Sequence, residues 1–248
     1  MIDPAILEPL ADDAWPARER ERLGGWRVNA SAGRSMRINA CWPLGAPDRD
    51  PEAALDAVEA WYAARGLPPR FKLTDGVTAP ADLAERLAAR GYTATKETLV
   101  MLGPTGGEGD SAVRVAKTPD AAFEAVFTAT AGDPEDGRER IEALARIPAP
   151  ARFARLDVDG APAAIGASAI GGGYAGIFGM RTAPDHRRKG LARRVLRGLL
   201  AQAEALGAEH AWLQVEADNA PAIALYADEG FAAGYRYRYW ARQAFGGA

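Results

Sequence analysis

Apolar positions along the chain recur with two periods, and the switches between them predict the order of elements. Aromatic and β-branched runs mark strands around residues 25–30 and 35–42. Leu55, Val58 and Tyr62 then share one face of a helix over 51–65. A strand at 70–73, a helix at 80–90 and a strand at 93–102 follow. Beyond these the pattern predicts a short strand at 112–116 and helices over 119–130 and 134–146. Strands at 151–157 and 163–170 are joined through Asp159-Gly160, a hairpin signal. The run 174–179 reads as a strand, and Ala192, Leu196, Leu199, Ala203 and Leu206 recur at helical spacing after it. A strand at 210–216, a helix at 220–228 and a final strand or hairpin at 231–241 complete the pattern. Strands alternating with helices imply an α/β class, an α+β mixed sheet.

Glycine, proline and small polar residues fill 103–111, where too little surface exists to fold, so this stretch reads as a linker. The expected division is an N-terminal half at 1–102 and a second half at 112–248. The two halves end alike. Residues 81–92 match 221–231 when Gly91-Tyr92 is aligned with Gly230-Phe231, each a short helix stopped by glycine before an aromatic enters a strand. Such an echo points to duplicated halves covering each other, hence a monomer with pseudo-dimeric halves or a homodimer.

The 248 residues, 48% of them hydrophobic and 25% charged, suit a soluble globular protein, and the formal net charge of −3 argues against a nucleic-acid binder. One cysteine excludes an internal disulfide framework, and with two histidines no metal site is expected. Cys41, between Ala40 and Trp42, reads as a buried structural thiol. Neither a signal peptide nor a membrane span is visible, so the expected location is cytoplasmic.

The chemistry concentrates after residue 179. There Pro184 interrupts a strand, and Arg187-Arg188-Lys189-Gly190-Leu191-Ala192 opens into a helix. The first N–H groups of a helix have no internal partner and carry the positive end of its dipole. With basic residues around a glycine, this is an anion site suited to phosphate.

That loop resembles the Gln/Arg-x-x-Gly-x-Gly/Ala motif of the GCN5-related N-acetyltransferase (GNAT) family. A second GNAT signature, Asn-x-x-Ala-x-x-Leu-Tyr-x-x-x-Gly-Phe, is matched from Asn219 to Phe231. The resemblance covers about residues 112–242, and 1–102 is similar, more loosely, to the degenerate domain of tandem members. It implies acetyl-CoA as cosubstrate, no metal, and a small-molecule or peptide amine as acceptor. Main-chain groups of Arg188, Lys189, Gly190, Leu191 and Ala192 would hold the pyrophosphate, with side chains of Arg187, Arg188 and Lys189 adding positive field. Met180 and Thr182 would meet the pantetheine arm. Tyr226 would be the general acid at the thiolate, against a tyrosine merely packed on the core. Asn219 would cap its helix and touch the cofactor. Glu216 is the best candidate base, against a solvated strand-end carboxylate. Asp133, Glu135 and Asp136 could attract a cationic amine or serve as helix N-terminal charge. Tyr235, Tyr237 and Tyr239 alternate on one strand face, for cross-strand packing or for stacking on an acceptor. The corresponding position in the first half is Leu87, so only the second half is expected to be catalytic. The rival function is a non-catalytic CoA-sensing or regulatory module.

Overall fold

A computed structural model describes residues 3–242. Residues 243–248, assigned above to the second half, lie outside it, as do the first two residues. The chain enters through a helix that the hydrophobic pattern misses, α1 (Pro4–Ala14). Asp3 caps it by accepting from the Ala5 N–H at 2.8 Å, and Pro4 occupies its first position. An Asp-Pro pair is a recognised helix start, so the signal was present.

The first half continues with β1 (Glu19–Leu23), β2 (Trp26–Ala30), β3 (Cys41–Pro43), α2 (Pro51–Ala63), β4 (Arg70–Thr74), α3 (Leu83–Ala89) and β5 (Thr93–Pro104). The second contains β6 (Val113–Ala116), α4 (Ala121–Ala129), α5 (Pro134–Leu144), β7 (Ala151–Val158), β8 (Ala161–Gly171) and β9 (Tyr174–Thr182). It ends with α6 (Leu191–Ala205), β10 (His210–Glu216), α7 (Ala220–Asp228) and β11 (Ala232–Ala241).

Among the described residues all eleven strands form one mixed sheet in the order β1-β2-β3-β4-β11-β5-β10-β9-β8-β7-β6. The final strand of each half pairs antiparallel with the other half: β11 inserts beside β4, and β5 lies against β10. β5 and β11 also pair with each other in the middle. One sheet therefore joins the segments on either side of 103–111. Gly103 and Pro104, read above as linker, end β5 opposite Ala211 and His210. The remaining stretch is docked: Thr105 Oγ1 donates to the Ala208 carbonyl at 2.7 Å, and Asp110 pairs with Arg194.

The strand expected over 35–42 is instead a 3-10 turn, Met36–Ile38, followed by the short β3. The cause is a hydrogen-bonded loop that competes with extension. Asn39 Oδ1 accepts from the N–H groups of Ser31 at 2.7 Å and Gly33 at 2.9 Å. Glu139, a buried carboxylate on α5, accepts from the N–H groups of Ala32 and Ser35, both at 2.5 Å, and from Asn39 Nδ2 at 2.9 Å. A residue 100 positions away thus shapes this segment.

Among the described residues three apolar clusters form the core. One belongs to the first half and packs Leu55, Val58, Leu83 and Leu87 against Trp26 and Phe71. A second lies under α6 and α7 and contains Leu191, Val195, Leu199 and Leu213. The third joins both halves: Leu7, Trp15 and Trp42 meet Phe123, Phe127, Phe178 and the tyrosines of β11. Cys41 is fully buried, and burial pushes its thiol pKa well up, which keeps it protonated and unreactive.

Candidate active site

β9 and β10 run parallel and in register only from Tyr174/His210 to Ile177/Leu213. β9 then continues to Thr182 and β10 to Glu216 without pairing to each other. A bulge in β9 accompanies the separation. Between the pairs Ala167↔Phe178 and Ile165↔Arg181, β8 advances two residues and β9 three. Gly179 sits in the bulge at φ +58°, a conformation that favours glycine, and a Cβ there would lie 3.0 Å from the Phe127 ring. The divergence opens a cavity of about 530 Å³ in the sheet.

Past the end of β9 the chain makes one 3-10 turn, Pro184–His186, and then the basic loop. Arg188 and Gly190 both adopt positive φ, +60° and +75°. These two positions turn the chain sharply just ahead of α6. α6 starts at Gly190 without a side-chain cap, and its first main-chain bond runs from the Arg194 N–H to the Gly190 carbonyl at 3.3 Å. The N–H groups of Gly190, Leu191, Ala192 and Arg193 are thus the open donors of a helix start. The side chains of Arg187, Arg188 and Lys189 are exposed, and Arg187 Nε donates weakly, at 3.4 Å, to the Thr182 carbonyl. Of the two positions expected on β9, Met180 lines the cavity and Thr182 lies just beyond it.

Tyr226 lines the same cavity from α7, half-buried, with its ring 6.1 Å from that of Phe231. Burial raises its pKa, and the nearby Arg181 charge opposes part of that rise. Asn219 caps α7 by accepting from the Ala222 N–H at 3.2 Å and also lines the cavity. Glu216, the last residue of β10, stands exposed at the lining. Met180, Tyr226, Asn219 and Glu216 therefore line one cavity, while the basic loop follows β9 beyond that lining.

The acidic cluster is engaged in capping and ion pairs at the start of α5. Asp133 caps α5, Arg34 reaches both Asp133 and Glu135, and Asp136 pairs with Arg140 at 2.8 Å. Of the alternating tyrosines, Tyr237 and Tyr239 line the cavity floor, packed 5.3 Å apart edge to face. Tyr237 donates to Gln214 Oε1 at 3.1 Å, while Tyr235 donates to buried Glu8 at 2.8 Å. Sequence reasoning missed Trp15, Arg37, Thr95, Arg140 and Arg181, all of which line the cavity. They come from five separate segments, so no spacing rule joins them. Among the described residues no group of histidine, cysteine or carboxylate side chains could hold a metal ion, and no helix is long and apolar enough to cross a membrane.

Known proteins agree with this architecture. The chain is 28% identical over 239 residues to the uncharacterized N-acetyltransferase YobR of Bacillus subtilis, covering 93% of this chain and 95% of that one. It is 29% identical over 247 residues to a probable histone acetyltransferase of Mycobacterium tuberculosis, covering 97% and 74%. A GCN5-related N-acetyltransferase from Kribbella flavida superposes with a TM-score of 0.69 over 98% of this chain and 96% of its own, at 20% identity, a likeness of fold. The family described as "Probable histone acetyltransferase Rv0428c C-terminal" matches residues 5–240. With its splayed mixed sheet and these relatives, the chain belongs to that family and is a GNAT acyltransferase.

Proposed function

We propose that the protein transfers the acetyl group of acetyl-CoA to a primary amine of a small-molecule or peptide acceptor, by direct attack in the cavity between β9 and β10. The observation that carries this reading is the position of Tyr226 on the cavity wall, beside a bulged strand that leads to an uncapped helix start.

The residues fit the cosubstrate. A pyrophosphate needs convergent main-chain donors without a competing carboxylate, and the α6 start has open N–H groups, two positive-φ residues and no side-chain cap. Arg188, Lys189, Gly190, Leu191 and Ala192 would hold it through the main chain, with Arg187, Arg188 and Lys189 adding charge. Met180 and Thr182 would bind the pantetheine arm as an added strand does. Acetyl-CoA supplies an activated acyl group whose leaving sulfur needs a proton.

Tyr226 Oη is the donor of that proton. Its raised pKa keeps the phenol protonated at neutral and mildly alkaline pH, as a general acid requires. Asn219 fixes the start of α7 and so the direction of Tyr226. Glu216 is the candidate to take the amine proton, directly or through water. The first half, with Leu87 at the place of Tyr226, shapes the acceptor side and binds no cosubstrate of its own.

An amine panel assayed with acetyl-CoA for free-thiol release tests the reading. Turnover that depends on Tyr226 supports it. Tight acetyl-CoA binding with no thiol release from any amine would make the protein a CoA-sensing module instead.

A further inference from the structure

One wall of the cavity carries more positive charge than the protein neutralises. Arg37 from the loop after β2, Arg140 from α5 and Arg181 from β9 all line it. Arg140 has a carboxylate partner, Asp136. Among the described residues Arg37 and Arg181 have none. The Arg181 guanidinium lies 5.4 Å from the Phe127 ring centroid, and its Nη1 donates only to the carbonyl of its neighbour Met180, at 3.3 Å. The Arg37 guanidinium lies 5.9 Å from the Trp15 ring centroid.

Trp15, Phe127 and Phe178, all buried, stand on the arginine side of a lining that elsewhere carries polar side chains such as Thr98, Gln214 and Glu216. Like charges gathered beside low-dielectric walls repel: after burial itself, Arg181 is acted on by repulsion from Arg140 and Arg37, which the attraction of Asp136 opposes in part. Arginine does not shed its proton to relieve this. Thr95, whose Oγ1 is buried without a hydrogen-bond partner, lines the same space. An anion placed there would relieve this repulsion.

That anion belongs to the acceptor side. Phe127, Phe178, Trp15 and the β11 tyrosines form one apolar cluster, while Met180, Tyr226 and the first turn of α6 pack with another. Arg37 and Arg181 lie against rings of the former, with the Arg181 charge also reaching Tyr226 at the boundary, and the phosphate loop opens from the latter. Resting on the acyl-transfer reading above, we infer that Arg181, with Arg37 and Arg140, forms an anion subsite for the acceptor: the acetylated amine carries a carboxylate or phosphate on the same molecule. Arg181 and Arg37 are the specificity-determining residues.

Matched substrate pairs test this. Free amino acids are compared with their carboxamides, and phosphoethanolamine with ethanolamine, at saturating acetyl-CoA. The wild type is expected to favour the anionic member of at least one pair by about tenfold or more in kcat/KM, mainly through acceptor KM. The pair that responds identifies carboxylate or phosphate. Amine reactivity cannot produce the carboxylate preference, because a carboxamide's α-amine is less basic and more of it is neutral near pH 8.

Arg181→Met should abolish the preference and leave the KM for acetyl-CoA unchanged. Arg37→Met should reduce it, and serves alone if the first variant fails to fold. Equal or reversed preference in an active wild type overturns the subsite. A raised acetyl-CoA KM in Arg181→Met does so too, by assigning the charge to the cosubstrate. If no amine is turned over, the acyl-transfer reading falls, and calorimetry of the same pairs decides the subsite separately.

Discussion

Two corresponding regions of the sheet are built alike and equipped differently. α3 and α7 each end on a glycine with φ near +80°, Gly91 and Gly230. The next residue closes the turn the same way: the Tyr92 N–H donates to the Leu87 carbonyl and the Phe231 N–H to the Tyr226 carbonyl, both at 3.0 Å. The strands that follow, β5 and β11, pair side by side in the centre of the sheet. Yet Leu87 is sealed in the apolar core, whereas Tyr226 lines the cavity. The helix starts differ as well. At α2, Asp50 accepts from the Glu52 N–H at 2.9 Å, with Pro51 beside it, and Glu52 pairs with Arg86 and Arg90. That carboxylate stands where an anion would have to bind, while α6 offers Gly190 and open donors. The two regions share a helix-glycine-strand turn and differ in the side chains around it.

The most drastic way to break the comparison is to cut it in two. A fragment spanning 112–248 leaves β10 and β11 without β5 between them, and should be insoluble or unfolded. A soluble fragment with full activity would show that the halves stand alone. Next, Tyr226→Phe should lower turnover about a hundredfold with acetyl-CoA affinity nearly unchanged. Because its pKa is raised, the wild type should retain the acid's contribution up to at least about pH 10, the ordinary tyrosine value. A fall in rate well below that pH, under conditions where chemistry limits, would point to another group.

A smaller effect is expected at the cosubstrate loop. Gly190→Glu places a side chain and a negative charge at a positive-φ position among the open donors, and should weaken acetyl-CoA binding by about tenfold or more by calorimetry. The smallest is the mirror change. Asp50→Ala removes a helix cap and should cost about 1 kcal/mol in denaturant unfolding, with binding still one acetyl-CoA per chain. Appearance of a second site would mean that the cap alone had silenced the first half.

What was legible in the sequence was what is local. The basic loop and the stretch from Asn219 to Phe231 are contiguous, and a glycine with positive φ or a capping asparagine acts within a few residues. From β2 onward the order of strands and helices followed from periodicity for the same reason, apart from 35–42, while α1 and β1 were missed although α1 has a local Asp-Pro start. Other losses came from distant partners. Glu139 bends 31–39 away from a strand, and only that bend carries Arg37 to the cavity. Arg181 looks like any basic strand residue until Phe127 and Arg140 are packed around it. The acidic residues near 133 gave the opposite lesson, since Arg34 and Arg140 absorb the charge that composition displays.

The exchange of strands has a consequence for how the protein is made. β11, the last strand of the described chain, occupies a central place, pairing β4 on one side and β5 on the other. As the polypeptide leaves the ribosome, β4 and β5 are finished long before their shared neighbour exists, and each presents an open edge. Closure of the sheet waits on contacts between residues more than a hundred positions apart, which form slowly. The interval before β11 arrives is when the nascent chain is most exposed to chaperones, proteases and other copies of itself.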